Sequence, residues 1–138
     1  MKIIIRLLLS IAFLGVLGVT RAADQPNFVL IMADDLGYGD IGPFGSKVNR
    51  TPNLDRMTRE GMKLTSFYAA PVCTPSRAQV LTGCYAKRVS LPAVIFPASP
   101  IGLSADEHTI GGLLNALHYE TIVIGEWYVG DDPSFLPT

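Results

Sequence analysis

The chain has 138 residues, of which 49% are hydrophobic and 17% charged, with eleven Lys and Arg against twelve Asp and Glu. That balance excludes a disordered segment and describes one globular unit or part of one.

Residues Met1 to Ala23 carry Lys2 and Arg6, then an apolar run from Leu7 to Val19, then Thr20-Arg21-Ala22. The pattern predicts a secretory signal peptide over residues 1–22, with an uncleaved anchor as the alternative and residues 23–138 as the folded part. The run is short for a membrane span, and no later stretch is long enough. Its removal takes Lys2, Arg6 and Arg21 and no acid, leaving eight basic residues against twelve acidic, a formal −4. No basic footprint for nucleic acid or an anionic membrane remains. Cys73 and Cys84 are the two cysteines; in an oxidising compartment they could pair.

Asn27-Phe28-Val29-Leu30-Ile31-Met32-Ala33 is a continuous apolar run, as expected of a strand buried on both faces of a parallel sheet. Asp34 and Asp35 follow at its carboxyl end, where open α/β sheets build their sites. Adjacent carboxylates repel unless solvent or a cation separates them, and oxygen ligands of this kind suit Ca²⁺ or Mg²⁺. An ordinary polar strand end is the other reading. Thr51 to Gly61 has a capping residue, a first-turn proline, Leu54 and Met57 on one face and a terminal glycine, which predicts a helix. Lys63 to Ala69 alternates and suits a strand.

Pro71 to Gly83 then reads PVCTPSRAQVLTG. Thr74 suits an N-cap, Pro75 the first helical position and Gly83 the end, so a short helix is expected with Cys73 just outside its N-terminus. Free N–H groups and the positive end of the macrodipole favour an anion there. Arg77 opposes that dipole, and local rules are most often broken at functional sites. Cys73 and Arg77 would converge on a tetrahedral anion; a buried structural cysteine with Arg77 on the solvated side is the competing reading.

Cys-x-Pro-Ser-Arg followed by Ala and then Leu-Thr-Gly resembles the signature of the type I, arylsulfatase-like sulfatases, in which the cysteine is oxidised to formylglycine. The run PNFVLIMADDLGYGD over residues 26–40 is similar to the opening of the same family. The resemblance implies an alkaline-phosphatase-like α/β fold, a mainly parallel sheet with flanking helices. It implies that the aldehyde hydrate of modified Cys73 is the nucleophile toward a sulfate ester, with Arg77 steadying the hydrate and nearby charge. Asp34 and Asp35, with residue 73, would be ligands of a divalent metal, Ca²⁺ or alternatively Mg²⁺, that polarises the sulfate oxygens. The implied partners are a sulfate-ester substrate and the formylglycine-generating enzyme. The implied address is the secretory pathway, ending outside the cell, in a lysosome or, in a bacterium, in the periplasm. If Cys73 is converted, Cys84 is a lone thiol.

Cys84 to His108 holds Pro92, Pro97 and Pro100 without a sustained period, which predicts a functional or mobile loop. Thr109 to Leu117 suits a helix with Ile110, Leu113, Leu114 and Leu117 on one face, weakened by Gly111 and Gly112. His108 and His118 at its two ends read as surface residues. Glu120 to Gly125 reads as another buried strand, and the strand–helix order implies a parallel sheet with helices on its faces.

Gly125-Glu126-Trp127-Tyr128-Val129-Gly130 aligns with the family's second signature, Gly-Lys-Trp-His-x-Gly. Glu126 stands at the Lys position and Tyr128 at the His position, both of which contact the sulfate and the formylglycine in the family. A carboxylate beside an anionic substrate opposes binding by about 4 kcal/mol for charges about 4 Å apart at an effective dielectric of about 20. This form is therefore expected to bind sulfate esters poorly. The resemblance covers nearly all of residues 26–138, which is the opening part of the family's domain. Three readings follow: a sulfuric ester hydrolase by descent, a secreted non-catalytic remnant that at most binds a cation or partner, and a phosphodiesterase-type hydrolase with an unmodified nucleophile, which Pro75 and Arg77 disfavour.

Overall fold

A computed structural model describes residues 25–137; the signal peptide expected over 1–22 lies outside them. The chain divides after Ala33 into two units. In the first, residues 25–33 have no regular secondary structure, and Val29 and Ile31 are 84% and 80% exposed.

The second unit, from Asp34 onward, carries three helices: α1 (Pro52–Glu60), α2 (Cys73–Thr82) and α3 (Ile110–Ala116). Short 3-10 turns lie before α1, at Tyr38–Asp40 and Gly42–Phe44, and after α3, at Pro133–Phe135. Proline and glycine punctuation sets the bounds of α1. Pro52 occupies the first helical position, where no N–H is needed, and Gly61 closes the helix by donating to the Met57 carbonyl at 2.9 Å. The Thr51 hydroxyl does not cap α1; it accepts the Gly42 N–H at 2.8 Å and so ties the preceding 3-10 turn to the helix. In α3 the cap is local: Thr109 Oγ1 accepts the Gly112 N–H at 3.1 Å.

No strand forms among the described residues. The runs over 27–33, 63–69 and 120–125, expected as strands of a parallel sheet, are not strands here, and Ile122 and Ile124 are 82% and 87% exposed. The physical reason is that a strand satisfies its backbone groups on a neighbour rather than on itself. Apolar composition alone cannot hold one extended.

The core sits elsewhere. Ala78 of α2 packs with Val89, Leu91, Ile95, Leu103 and Val129, and Leu81, Cys84 and Trp127 cover the cluster. The long connection from Cys84 to His108, expected as a functional or mobile loop, thus supplies four of the six buried residues of this cluster. Its backbone is held by Leu91 N–H donating to Ala86 at 2.9 Å and Leu103 N–H donating to Val129 at 2.7 Å. Phe135 closes the same side: a Cβ on Gly102 would lie 2.6 Å from its ring Cδ2, and one on Gly130 2.5 Å from its Cβ. Trp127 Nε1 donates to the Phe135 carbonyl at 2.9 Å.

The turn that presents Phe135 starts at Asp132, whose Oδ1 accepts from the Ser134 hydroxyl at 2.6 Å and its N–H at 2.9 Å. Those bonds, the hydroxyl's first, hold the Asp132 carboxyl below its ordinary value. Its stabilising effect is therefore present above the ordinary aspartate value and is lost as pH falls through the lowered one. Carbon-13 titration is expected to show Asp132 below the unfolded-chain value, and Ser134→Ala to bring it back up. Leu91→Ala, at a fully buried site, is expected to cost about 2–5 kcal/mol in urea unfolding. Leu113→Ala, on the exposed side of α3, should stay within about 0.5 kcal/mol.

Candidate functional site

The N-terminus of α2 is built around Thr74. Local sequence favours Thr74 as the N-cap and Cys73 outside the helix. The structure starts two positions earlier than that, with Val72 extended at the N-cap, no side-chain cap, and the Ser76 N–H donating to the Val72 carbonyl at 3.1 Å. The reason is burial. Thr74 is fully inaccessible, so both halves of its hydroxyl need partners. It donates to the Tyr128 carbonyl at 3.0 Å and accepts the Ile95 N–H at 3.3 Å. Tertiary partners win over the local cap. Pro75 still lies in the first turn, where the helix needs no N–H.

Cys73 consequently occupies the first helical position, half-buried, with a free thiol; Cys84 is also free and half-buried, so the two are unpaired. The first N–H groups of a helix have no intrahelical acceptor, and the macrodipole is positive there. Ser76 anchors the turn from behind, its hydroxyl donating to the Ala70 carbonyl at 2.8 Å.

Arg77 lies one turn on, on the same side as Cys73. Its Nη1 donates to the Glu126 carbonyl at 2.6 Å and its Nη2 to Glu126 Oε2 at 2.7 Å. The side chain of Arg77 is 15% exposed and that of Glu126 58%. The Arg77 Nε–H is buried and finds no acceptor among the described residues. Glu126 therefore does more than oppose an incoming anion, as the sequence suggests: it holds the cation.

Tyr128 sits at φ 52°, an uncommon conformation for a bulky side chain, with its carbonyl fixed by Thr74. Glu126 and Tyr128 line a cleft of about 360 Å³ with Phe96, Pro97, Trp127 and Asp131. Asp131 Oδ2 accepts the Ala98 N–H at 2.7 Å and pins the turn above it. Thr74, Ile95 and Asp131 are the positions that motif reasoning passes over. The one available signal is a small hydroxyl residue directly after the cysteine, which reads equally well as a cap.

Asp34 and Asp35 are exposed, and Asp35 takes φ 49°. Among the described residues no three or more His, Cys, Asp or Glu side chains are grouped to hold a metal ion. Asp34, Asp35 and Cys73 are therefore not drawn into one such group. The oxygen donors suit a hard dication, yet two carboxylates fall well short of its usual six to eight oxygens. His108 and His118 are exposed, as expected. No helix among the described residues is long and apolar enough to cross a membrane.

The sequence model of the Sulfatase family matches residues 26–134, which includes α1, α2, α3 and the cleft. This chain belongs to the sulfatase family. It is 51% identical over 116 residues to steryl-sulfatase of Mus musculus, covering 79% of this chain and 19% of that protein. Against arylsulfatase A of Bos taurus it is 47% identical over 120 residues, 84% of this chain and 24% of that one. N-acetylgalactosamine-6-sulfatase of Sus scrofa is 41% identical over 140 residues, 95% and 27% respectively. The sequence thus spans between a fifth and rather more than a quarter of these sulfatases.

Because Thr74 joins α2 to two remote segments of the sulfatase sequence, Thr74→Val should leave the Tyr128 carbonyl and Ile95 N–H unsatisfied. The expected loss is about 1–3 kcal/mol in denaturant unfolding, and Thr74→Ser should recover most of it.

Proposed function

We propose that this chain is the nucleophile-bearing part of a sulfuric ester hydrolase with an alkaline-phosphatase-like α/β fold. The observation that carries the reading is Cys73 at the first position of α2 with Arg77 one turn on, inside a stretch matched by the Sulfatase family. Converted to formylglycine, residue 73 would supply a geminal diol: one hydroxyl attacks sulfur and expels the substrate's alcohol, and the other then loses its proton and reforms the aldehyde as the C–O bond to sulfate breaks. That conversion requires the formylglycine-generating enzyme of the secretory pathway, and the expected signal peptide agrees with such a route.

The chain's own residues do the rest. N–H groups at the start of α2 and the macrodipole favour the charge that grows on the sulfate oxygens. Thr74 fixes the height of α2 against residues 95 and 128, so that Cys73 is positioned by a buried bond rather than by a loop. Asp34 and Asp35 are the residues that would hold a divalent metal, Ca²⁺ or Mg²⁺, whose chemistry is to polarise sulfate oxygens. The two carboxylates alone make an incomplete donor set for such an ion.

The three relatives are named for steryl, aryl and N-acetylgalactosamine-6 sulfates. What those substrates share is the sulfate ester, and that is the substrate class proposed.

A second reading is favoured by one contact. Arg77, the cation at the site, is already paired with Glu126, as suits a secreted non-catalytic form. Mass spectrometry of the secreted chain separates the two. A residue-73 peptide that has lost sulfur and reacts with hydrazide, together with aryl sulfate hydrolysis that vanishes on Cys73→Ala, is expected for the hydrolase. An intact thiol and no hydrolysis would leave the non-catalytic form.

A further inference from the structure

Arg77 is held at two points of different character. Nη1 rests on the backbone carbonyl of Glu126, which any residue at 126 would present, whereas Nη2 rests on the side-chain carboxylate. The guanidinium end is confined by its packing, at 15% exposure, while the carboxylate end is 58% exposed. Of the two partners, the carboxylate is the one that water can take back at little cost. A guanidinium has five N–H donors, and two go to Glu126. A third, the buried Nε–H, has no acceptor among the described residues. The cation is thus positioned by backbone and packing, neutralised by one displaceable side chain, and left with donor capacity.

We infer that the Glu126 carboxylate is an internal counter-anion occupying the anion-binding edge of Arg77, and that removing it opens this site to a free sulfate group. The inference rests on the reading that the α2 N-terminus faces a sulfate. A sulfate presents paired oxygens to a guanidinium as a carboxylate does, so the two compete for one edge. The tethered carboxylate has the advantage of high effective concentration. The cleft wall adds nothing to help the incoming anion: Asp131 is its other charged lining residue, and no Lys, Arg or His lines it.

The test is a titration of the secreted chain carrying Cys73→Ser, so that the result is independent of any conversion of residue 73. Inorganic sulfate is added at constant ionic strength while the backbone amide resonances of residues 76–78 are followed by NMR. Adding Glu126→Gln is expected to lower the sulfate concentration at half-shift by at least about tenfold, and adding Arg77→Gln on top of it to abolish the shift. Equal sulfate affinity with and without the carboxylate overturns the inference. So does tightened binding that persists after Arg77→Gln.

Should Glu126→Gln fail to fold, the unsubstituted chain carries a second readout. A guanidinium held at both Nη atoms should show separate Nη1 and Nη2 resonances from hindered rotation about Cζ–Nε, and averaged resonances overturn the inference. Absence of hydrolysis by the chain with Cys73 intact would sink the hydrolase reading and leave this titration standing.

Discussion

One buried hydroxyl determines the geometry of this site. Thr74 Oγ1 joins three segments remote in sequence, the start of α2, the Ile95 amide and the Tyr128 carbonyl, at a position with no solvent access. A buried polar group of this kind is costly when unpaired and directional when paired, so it specifies one arrangement of the three segments where apolar packing would allow several. The start of α2, the depth of Cys73, the placement of Arg77 and the left-handed backbone of Tyr128 all follow from it.

Electrostatics at the same place run counter to what a sulfate ester needs. The helix terminus is positive, and Arg77 adds a full charge near it, but Glu126 cancels that charge through a contact that is half solvated. Close range and the partly buried guanidinium make the pair local, while the exposed carboxylate keeps it exchangeable. Against the resemblance drawn from sequence, the run from Cys73 to Gly83 keeps the first signature, whereas the second carries Glu126 and Tyr128 where Lys and His are expected.

How much of this was legible in the sequence depends on the range of the interaction responsible. α1 and α3 were legible because proline, glycine and threonine at helix ends act within a few residues, and the bounds agree to within one position. The existence of α2 was legible for the same reason. Its first residue was not, because Thr74 is engaged by partners 21 and 54 residues away. The expected strands failed for the converse reason: their apolar pattern is real, but a sheet is completed by neighbours, and the chain covers 19–27% of the sulfatases compared. The core role of the connection after Cys84 was not legible because Val89, Leu91, Ile95 and Leu103 reach the core without any regular period. Arg77 and Glu126 were each singled out by motif, yet no spacing rule places them in contact across 49 residues.

The notch that receives Phe135 carries a consequence for the opposite wall of the cleft. The ring lies where side chains at 102 and 130 would begin, and its own carbonyl carries the indole of Trp127. A single methyl added behind the ring would push the aromatic outward, drag the carbonyl along and swing the indole. The two residues flanking that indole in sequence are Glu126 and Tyr128, so the fine adjustment of this pocket is exercised in part from behind the ring, at Gly102, which does not line it.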